Sequence, residues 1–304
     1  MAEMTGSDAL SSTQRDEDVR AAGVFQIEKR NRLGRRVSAH AILITISLIF
    51  AFPFFFLVAS SLKTLKQTFT VPVQLLPNPV AWENYPRALE FIPYVQYFGN
   101  TLFIAVANII LTLISCSLVA YGFSRIQWYG RDTLFGVVIA TLMIPFTVTL
   151  IPQFLVFRQL GWIGSFHPLI LPALTGNPFF IFLLRQFFRT IPYELSEAAR
   201  IDGASEFGIF WRIILPLSRP ALATVSLFTF LWNWNDFLGP LIYLNKEENY
   251  TLAVGLYSYF SKKSTTEWGL LLASSVVMII PVVILFFFAQ RTFIKGISMT
   301  GTKG

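Results

Sequence analysis

Two places in this sequence carry charged side chains that could do chemistry, and long apolar runs surround both. The first is the segment 192–212, whose ionisable residues are Glu194, Glu197, Arg200, Asp202, Glu206 and Arg212. The second is Asp236, the only acid well inside an apolar run. Charges on a short polar segment predict either a solvated face or a contact with another protein. A carboxylate within a membrane span is costly and usually faces protein or a water-filled cavity.

The sequence shows no catalytic constellation. It lacks a glycine-rich phosphate loop of the form GxxxxGK[ST], so we predict that the chain does not itself bind and hydrolyse ATP in that way. Two histidines far apart and a single cysteine, Cys116, give neither a zinc cluster nor an intrachain disulfide. We therefore predict no bound cofactor, no metal and no enzymatic activity. An intramembrane enzyme with Asp236 as its acid is an alternative, but it lacks a second catalytic group.

The composition is typical of a helical membrane protein. Apolar residues make up 54% of the chain and charged residues 13%, against about 25% charged in soluble proteins. Runs long enough to cross a hydrocarbon core predict six spans in an all-α fold. The predicted spans are residues 39–61, 98–123, 133–157, 168–188, 217–244 and 268–290.

Proline and glycine predict interruptions inside these spans. Pro145 and Pro152 lie in the third span, Gly176-Asn177-Pro178 in the fourth and Pro281 in the sixth. Backbone breaks in a membrane are tolerated where neighbouring helices or a cavity satisfy the freed polar groups. Small residues in the second and sixth spans, among them Ser115 and Ser117, predict close helix packing.

The distribution of positive charge predicts the orientation. Most of the 24 lysines and arginines fall in the N-terminal segment, the loop after the second span, the 192–212 segment with its flanks, and the tail. The positive-inside rule therefore places both termini and the 192–212 segment in the cytoplasm. We interpret the net charge of +7 as topological and expect no nucleic-acid partner. Residues 1–38 are predicted to be a basic, partly disordered extension, and 291–304 a cytoplasmic tail that is not helical from Gly296 onward.

The segment 192–216 predicts two short helices joined at Asp202-Gly203, a dipeptide that favours a turn. Its pattern Glu197-Ala198-Ala199, Gly203, Ile213 and Leu215-Pro216 resembles the coupling loop of the membrane subunits of bacterial ABC importers. Further features fit the carbohydrate-uptake branch of that family, similar to the smaller membrane subunit of the maltose transporter. They are Asn84-Tyr85, the run 121–125, the run 232–237 and the glycine-rich end at 295–304.

The resemblance implies a type I importer permease fold and assigns roles to residues. The residues expected to contact the ATPase are Glu197, Ala198, Ala199, Arg200, Asp202 and Gly203. The tail residues Gly301, Thr302, Lys303 and Gly304 are expected to reach the ATPase as well, or to form a frayed terminus. Glu197 and Arg200 could pair with the ATPase surface. For Arg200 a solvated face is an equal alternative, and for Glu206 we expect the solvated face.

The resemblance also implies partners. These are a second permease forming a heterodimer, an ATPase dimer that uses ATP and Mg²⁺, an extracytoplasmic solute-binding protein, and a sugar substrate. The chain would lie in the bacterial inner membrane, in contact with lipid. A permease for a polyamine or glycerol phosphate, and an ion-coupled secondary transporter, are the alternatives.

Helical periodicity in the fifth span predicts a substrate path. At 100° per residue one face collects aromatic, amide and carboxylate groups that suit a sugar. Its candidate residues are Thr229, Trp232, Asn235 and Asp236. The alternative is a structural polar cluster that caps a bend at Gly239-Pro240, with the tryptophans as interfacial anchors.

Overall fold

The structure is a computed structural model that describes residues 35–262 and 268–300. The described residues form helices and connecting turns. The helices are α1 (Arg35–Ser61), α2 (Leu65–Thr68), α3 (Asn84–Phe91), α4 (Tyr94–Ser124), α5 (Arg131–Ala140), α6 (Phe146–Gln159), α7 (His167–Ile170), α8 (Pro178–Thr190), α9 (Glu194–Ile201), α10 (Glu206–Ile209), α11 (Leu215–Leu217), α12 (Arg219–Trp234), α13 (Leu238–Tyr243), α14 (Leu252–Lys262) and α15 (Trp268–Thr300).

By length and composition, four described helical segments could cross a membrane: α1, α4, His167–Thr190 and Trp268–Phe288. Two bent pairs raise that number to at most six. The segment 131–143 meets α6 at 97°, and the segment 206–217 meets α12 at 78°. The chain divides after Ser60 into two units, and the first contains most of α1. That helix begins at Arg35, earlier than the predicted residue 39, and most of the 1–38 extension lies outside the described residues.

Helix α4 runs through the centre of the second unit because it contributes to both apolar cores. Near its C-terminal end, Cys116, Ala120 and Tyr121 pack with residues of α8, α12 and the segment 209–214. Near its N-terminal end, Tyr94 and Tyr97 pack with α3, α14, α15 and Trp234. The segment before α4 contains the short helix α3. The Asn84 amide donates to the carbonyls of Ser61 and Lys63.

The third predicted span is not one helix. Pro145 lacks an N–H and restricts Ile144 to extended backbone, with ψ 113°. The helix therefore stops there and resumes as α6. Pro152 and Pro281, also predicted as kinks, lie inside helices that continue through them.

The break in the fourth span follows the sequence expectation. A 3-10 turn at Leu171–Thr175 precedes Gly176, and the Asn177 side chain caps α8 by accepting from the Phe179 N–H. Polar side chains of α4 satisfy the interrupted backbone. Asn108 Nδ2 donates to Leu169 O at 2.9 Å, Ser115 Oγ donates to Ala173 O at 2.7 Å, and Cys116 Sγ accepts from Asn177 N at 3.2 Å. Ser115 and Cys116 thus bind backbone as well as packing closely.

Two further elements differ from expectation. The predicted fifth span, 217–244, divides into α12 and α13, which are separated at Asn235–Phe237. Helix α15 runs on to Thr300, so Gly296 lies within a helix and not in an irregular tail. The tail candidates Gly301, Thr302, Lys303 and Gly304 lie outside the described residues.

Candidate functional site

The segment 192–214, called the knob below, has the predicted two-helix form. Helix α9 ends at Ile201, and Gly203 makes the turn at φ +82°, a conformation that glycine adopts without strain. The turn is closed by backbone hydrogen bonds from Gly203 N to Arg200 O and from Ala204 N to Ala199 O, at 3.0 and 2.9 Å. Ser205 caps α10 by accepting from Gly208 N at 3.2 Å. The knob therefore has a defined shape.

The residues expected to contact the ATPase do not all lie on one surface. Glu197, Ala198, Asp202 and Gly203 are exposed, whereas Ala199 is half-buried against the apolar core. Apolar side chains also lie uncovered on the knob: Ile201 is 87% exposed and Phe207 67%. Exposed apolar residues beside charges are typical of a surface that docks another protein.

Arg200 is held inside the knob. Its Nε donates to Glu206 Oε1 at 2.7 Å, and one terminal nitrogen donates to Tyr193 Oη at 3.3 Å. The hydrogen bond to Glu206 raises the pKa of Arg200 above its ordinary value. The other oxygen of Glu206 accepts from Tyr121 Oη of α4 at 2.6 Å. Glu206 was expected on a solvated face; its side chain is 43% exposed, but both of its oxygens bind protein.

The base of the knob is fixed by Arg125, which follows α4 directly and is 2% exposed. One of its terminal nitrogens donates to Phe188 O and to Ile191 O, each at 2.6 Å. These carbonyls end α8, where a helix leaves acceptors without intrahelical partners. From the opposite side, Arg185 Nε donates to Phe123 O at 3.1 Å. The ends of α4 and α8 are thus tied together by two arginines, a role that no local sequence pattern indicated.

The four substrate-path candidates do not share a continuous helical face, because α12 ends before Asn235. Thr229 is 3% exposed and Trp232 is 48% exposed. Trp232 stacks on Phe180 of α8, with ring centroids 4.9 Å apart. Asn235 Nδ2 donates to Leu231 O at 2.8 Å, and Asp236 Oδ1 accepts from the Gly239 N–H at 3.2 Å. Asp236 thus lies where the capping alternative places it.

The sequence did not predict two features of this region, a buried tryptophan and a cavity. Trp234, and not Trp232, is the buried tryptophan: it is 1% exposed and donates from Nε1 to Met278 O. A cavity of about 330 Å³ opens beside α7. At its edge Ser165 Oγ lies 2.8 Å from His167 Nδ1. Its lining residues are Phe103, Ser165, Phe166, His167, Ile170, Leu171 and Asn249. Within the described residues, no group of His, Cys, Asp and Glu could hold a metal ion.

Comparison with known proteins identifies a family of transport proteins and several similar chains. Residues 114–299 match the family described as binding-protein-dependent transport system inner membrane component. The chain is 34% identical over 272 residues to the arabinooligosaccharides transport system permease protein AraQ of Bacillus subtilis, covering 88% of this chain and 96% of that protein. It is 33% identical to the sn-glycerol-3-phosphate transport system permease protein UgpE of Yersinia enterocolitica, covering 88% and 97%.

A solved structure has the same fold. It is a chain of a bacterial ABC transporter involved in the import of the acidic polysaccharide alginate, with a TM-score of 0.75 and 26% identity. The match covers 84% of this chain and 95% of that one.

Proposed function

The chain belongs to the family of inner membrane components of binding-protein-dependent transport systems, and from this premise we propose how it works and what it carries. It is the permease subunit of an ABC importer, and its substrate is a sugar or oligosaccharide. Two of the similar proteins support this substrate class. One is named as a permease for arabinooligosaccharides, and one solved structure is that of an alginate importer. The relatives are transport permeases, which agrees with the lack of a catalytic constellation.

The observation that carries the mechanism is the knob. It is a shaped, charged element with uncovered apolar side chains, rooted between α8 and α12. We propose that it docks on an ATPase dimer, which hydrolyses ATP with Mg²⁺ elsewhere. When the ATPases close, the knob moves as a body and displaces the helices attached to it. A bistable helix bundle converts such a shift into a change of access.

The remaining parts of the assembly follow from the same premise. We propose a second permease as heterodimer partner and an extracytoplasmic binding protein that delivers the solute. Six spans, counting each bent pair as one, would leave both termini in the cytoplasm, an orientation supported by the positive charges of the knob and its flanks. In that orientation α15 would end on the cytoplasmic side, and we propose that residues 301–304 contact the ATPase there.

The substrate path is proposed on narrower grounds. Trp232 presents an exposed aromatic face next to the break in span four, and Asn235 is exposed nearby along the chain. Aromatic faces suit the apolar side of a sugar ring, and amides suit its hydroxyls. Asp236 and the buried Thr229 would support this path without lining it, since Asp236 accepts from the Gly239 N–H in the first turn of α13.

A glycerol-phosphate substrate is the second candidate, because UgpE is a relative of similar identity. The deciding experiment is purification of the tagged chain from native membranes, followed by identification of its partners by mass spectrometry. An ATPase, a second permease and a binding protein should be recovered. The binding protein is then tested by calorimetry with arabino-oligosaccharides, alginate oligomers and glycerol 3-phosphate. Binding of glycerol 3-phosphate alone would overturn the sugar assignment. Transport by the purified chain without ATP would overturn the importer assignment in favour of a secondary transporter.

A further inference from the structure

We propose that Tyr121, Glu206 and Arg200 form a link that makes the last turn of α4 move with the knob. The proposal rests on the function proposed above, and it adds a helix to the coupling machinery. Chain connectivity alone joins the knob to α8 and α12. The link joins it to α4 as well, a helix more than 60 residues earlier in the sequence.

The carboxylate of Glu206 bridges two elements. Oε1 accepts from Arg200 of α9 at 2.7 Å, and Oε2 accepts from the Tyr121 hydroxyl at 2.6 Å. The second distance lies in the range of an O–H donor bound to an ionised acceptor, which is among the stronger hydrogen bonds in proteins. Tyr121 is 5% exposed, so water competes poorly for this bond. An ordinary surface ion pair would have water and not a buried tyrosine on its far side.

A second contact holds the same turn of α4. Tyr193, at the start of the knob, lies between Arg200 and Arg125: it accepts from Arg200 and its hydroxyl donates to Arg125 O at 3.5 Å. Tyr121 and Arg125 are four residues apart, so they lie one above the other on one side of the helix. The knob therefore meets the C-terminal end of α4 at two points, Tyr193 just before α9 and Glu206 of α10.

Apolar packing aligns the polar link. The Tyr121 ring packs edge-on against Phe210, with centroids 5.2 Å apart. Phe210 belongs to the π-helical turn Phe210–Ile214, where the knob leads toward α12. The ring thus packs on the end of the knob while its hydroxyl donates to Glu206. A displacement of α10 must then either carry α4 with it or break the hydrogen bond.

The test uses the complete importer reconstituted in proteoliposomes, with solute uptake and ATP hydrolysis measured on the same samples. Tyr121→Phe removes the hydroxyl alone. Tyr94→Phe is the matched control, because Tyr94 lies at the other end of α4, is buried, and its hydroxyl has no hydrogen-bond partner in the described residues. We expect Tyr121→Phe to assemble and hydrolyse ATP, but to transport about tenfold less solute per ATP, since a charge-assisted bond is lost from the coupled movement. Tyr94→Phe should keep the wild-type ratio.

A role in folding alone would lower the amount of assembled complex and leave the ratio of solute to ATP unchanged, so a wild-type ratio in Tyr121→Phe overturns the link. If that variant does not assemble, Glu206→Gln tests the same bond from the knob, and a wild-type ratio there has the same meaning. A wild-type complex that shows no ATP-dependent uptake would instead refute the proposed function. The two failures are therefore distinguishable.

Discussion

Replacing Gly203 with aspartate tests whether the knob docks on a partner. The structure limits the cost of this change to the chain itself. At Gly203 an added Cβ would meet no atom within 4 Å, and the strain comes only from φ +82°. An L-residue in the left-handed region costs about 1–2 kcal/mol, and aspartate visits that region more readily than most residues. Against a total stability of about 5–15 kcal/mol, the variant should still fold and insert.

If a partner protein covers this turn, Gly203→Asp should destabilise the complex by more than it destabilises the chain itself. Gly203 lies at the exposed turn of the knob beside Ile201 and Asp202, which are exposed too. A partner that covers this turn would bury the new carboxylate next to an existing one. An uncompensated buried charge costs about 3–5 kcal/mol. Because about 1.4 kcal/mol corresponds to a factor of ten, docking should weaken by at least about a hundredfold.

The chain provides a matched control for this substitution. Gly130, in the turn before α5, has φ +84°, and a Cβ there would also meet no atom within 4 Å. Gly130→Asp therefore adds the same charge at the same backbone strain, outside the knob. We expect both variants to reach wild-type levels in the membrane, with ATPase recovery and ATP-dependent uptake lost only in Gly203→Asp. Normal uptake by Gly203→Asp, or equal losses in both variants, would refute the docking argument.

Substitutions at Asp236, Gly255 and Arg125 test the fold, with Gly99→Ala as the control for Gly255. Asp236→Asn keeps an oxygen that can accept from the Gly239 N–H, so folded yield should stay normal and any loss of uptake reports the missing charge. Asp236→Ala removes this acceptor and should lower the free energy of unfolding in detergent by about 1 kcal/mol. Gly255→Ala would place a Cβ 2.6 Å from Cε2 of Tyr97 and should cost about 1–3 kcal/mol, whereas Gly99→Ala, with open space, should not destabilise. Arg125→Lys should lower the free energy of unfolding by about 2 kcal/mol, because one ammonium cannot reproduce the guanidinium contacts with two carbonyls; an unchanged melting temperature would contradict this.

The sequence predicted the knob well because its determinants are local. A helix start rich in glutamate, a turn at Asp202-Gly203 and a second short helix are all specified by neighbouring residues. The break at Gly176-Asn177-Pro178 was predictable for the same reason, together with the rule that neighbouring helices must satisfy the freed backbone. That α4 provides the groups for this, through Asn108 and Ser115, required the structure.

The role of Glu206 could not be found in the same way. Its partner Tyr121 is 85 residues away in sequence, and no spacing rule connects a tyrosine near the end of one span with an acid in a later loop. The prediction that the substrate-path residues share one helical face was wrong for a different reason. Periodicity at 100° per residue assumes a continuous helix, and α12 ends before Asn235. In the tail, glycine's weak helix propensity suggested an irregular segment at Gly296, yet α15 continues through it, as packing and length can override single-residue preferences.

The placement of polar groups also indicates which helices move together. Hydrogen bonds tie α4 to the fourth span at three levels: Asn108 to Leu169, Ser115 to Ala173, and Arg125 to the end of α8. Sliding one helix past the other would break all three, in surroundings that offer few replacement partners. By contrast, α4 meets α12 through aromatic packing such as Phe98 on Trp234, with centroids 5.5 Å apart, and apolar surfaces can shift with smaller losses. We therefore expect α4 and the fourth span to move as one body, and the change of access to occur at the packing between that body and the remaining helices. Spin-label distances between α4 and α8 should stay constant through the ATP cycle, and a change in that distance would show that the two helices move separately.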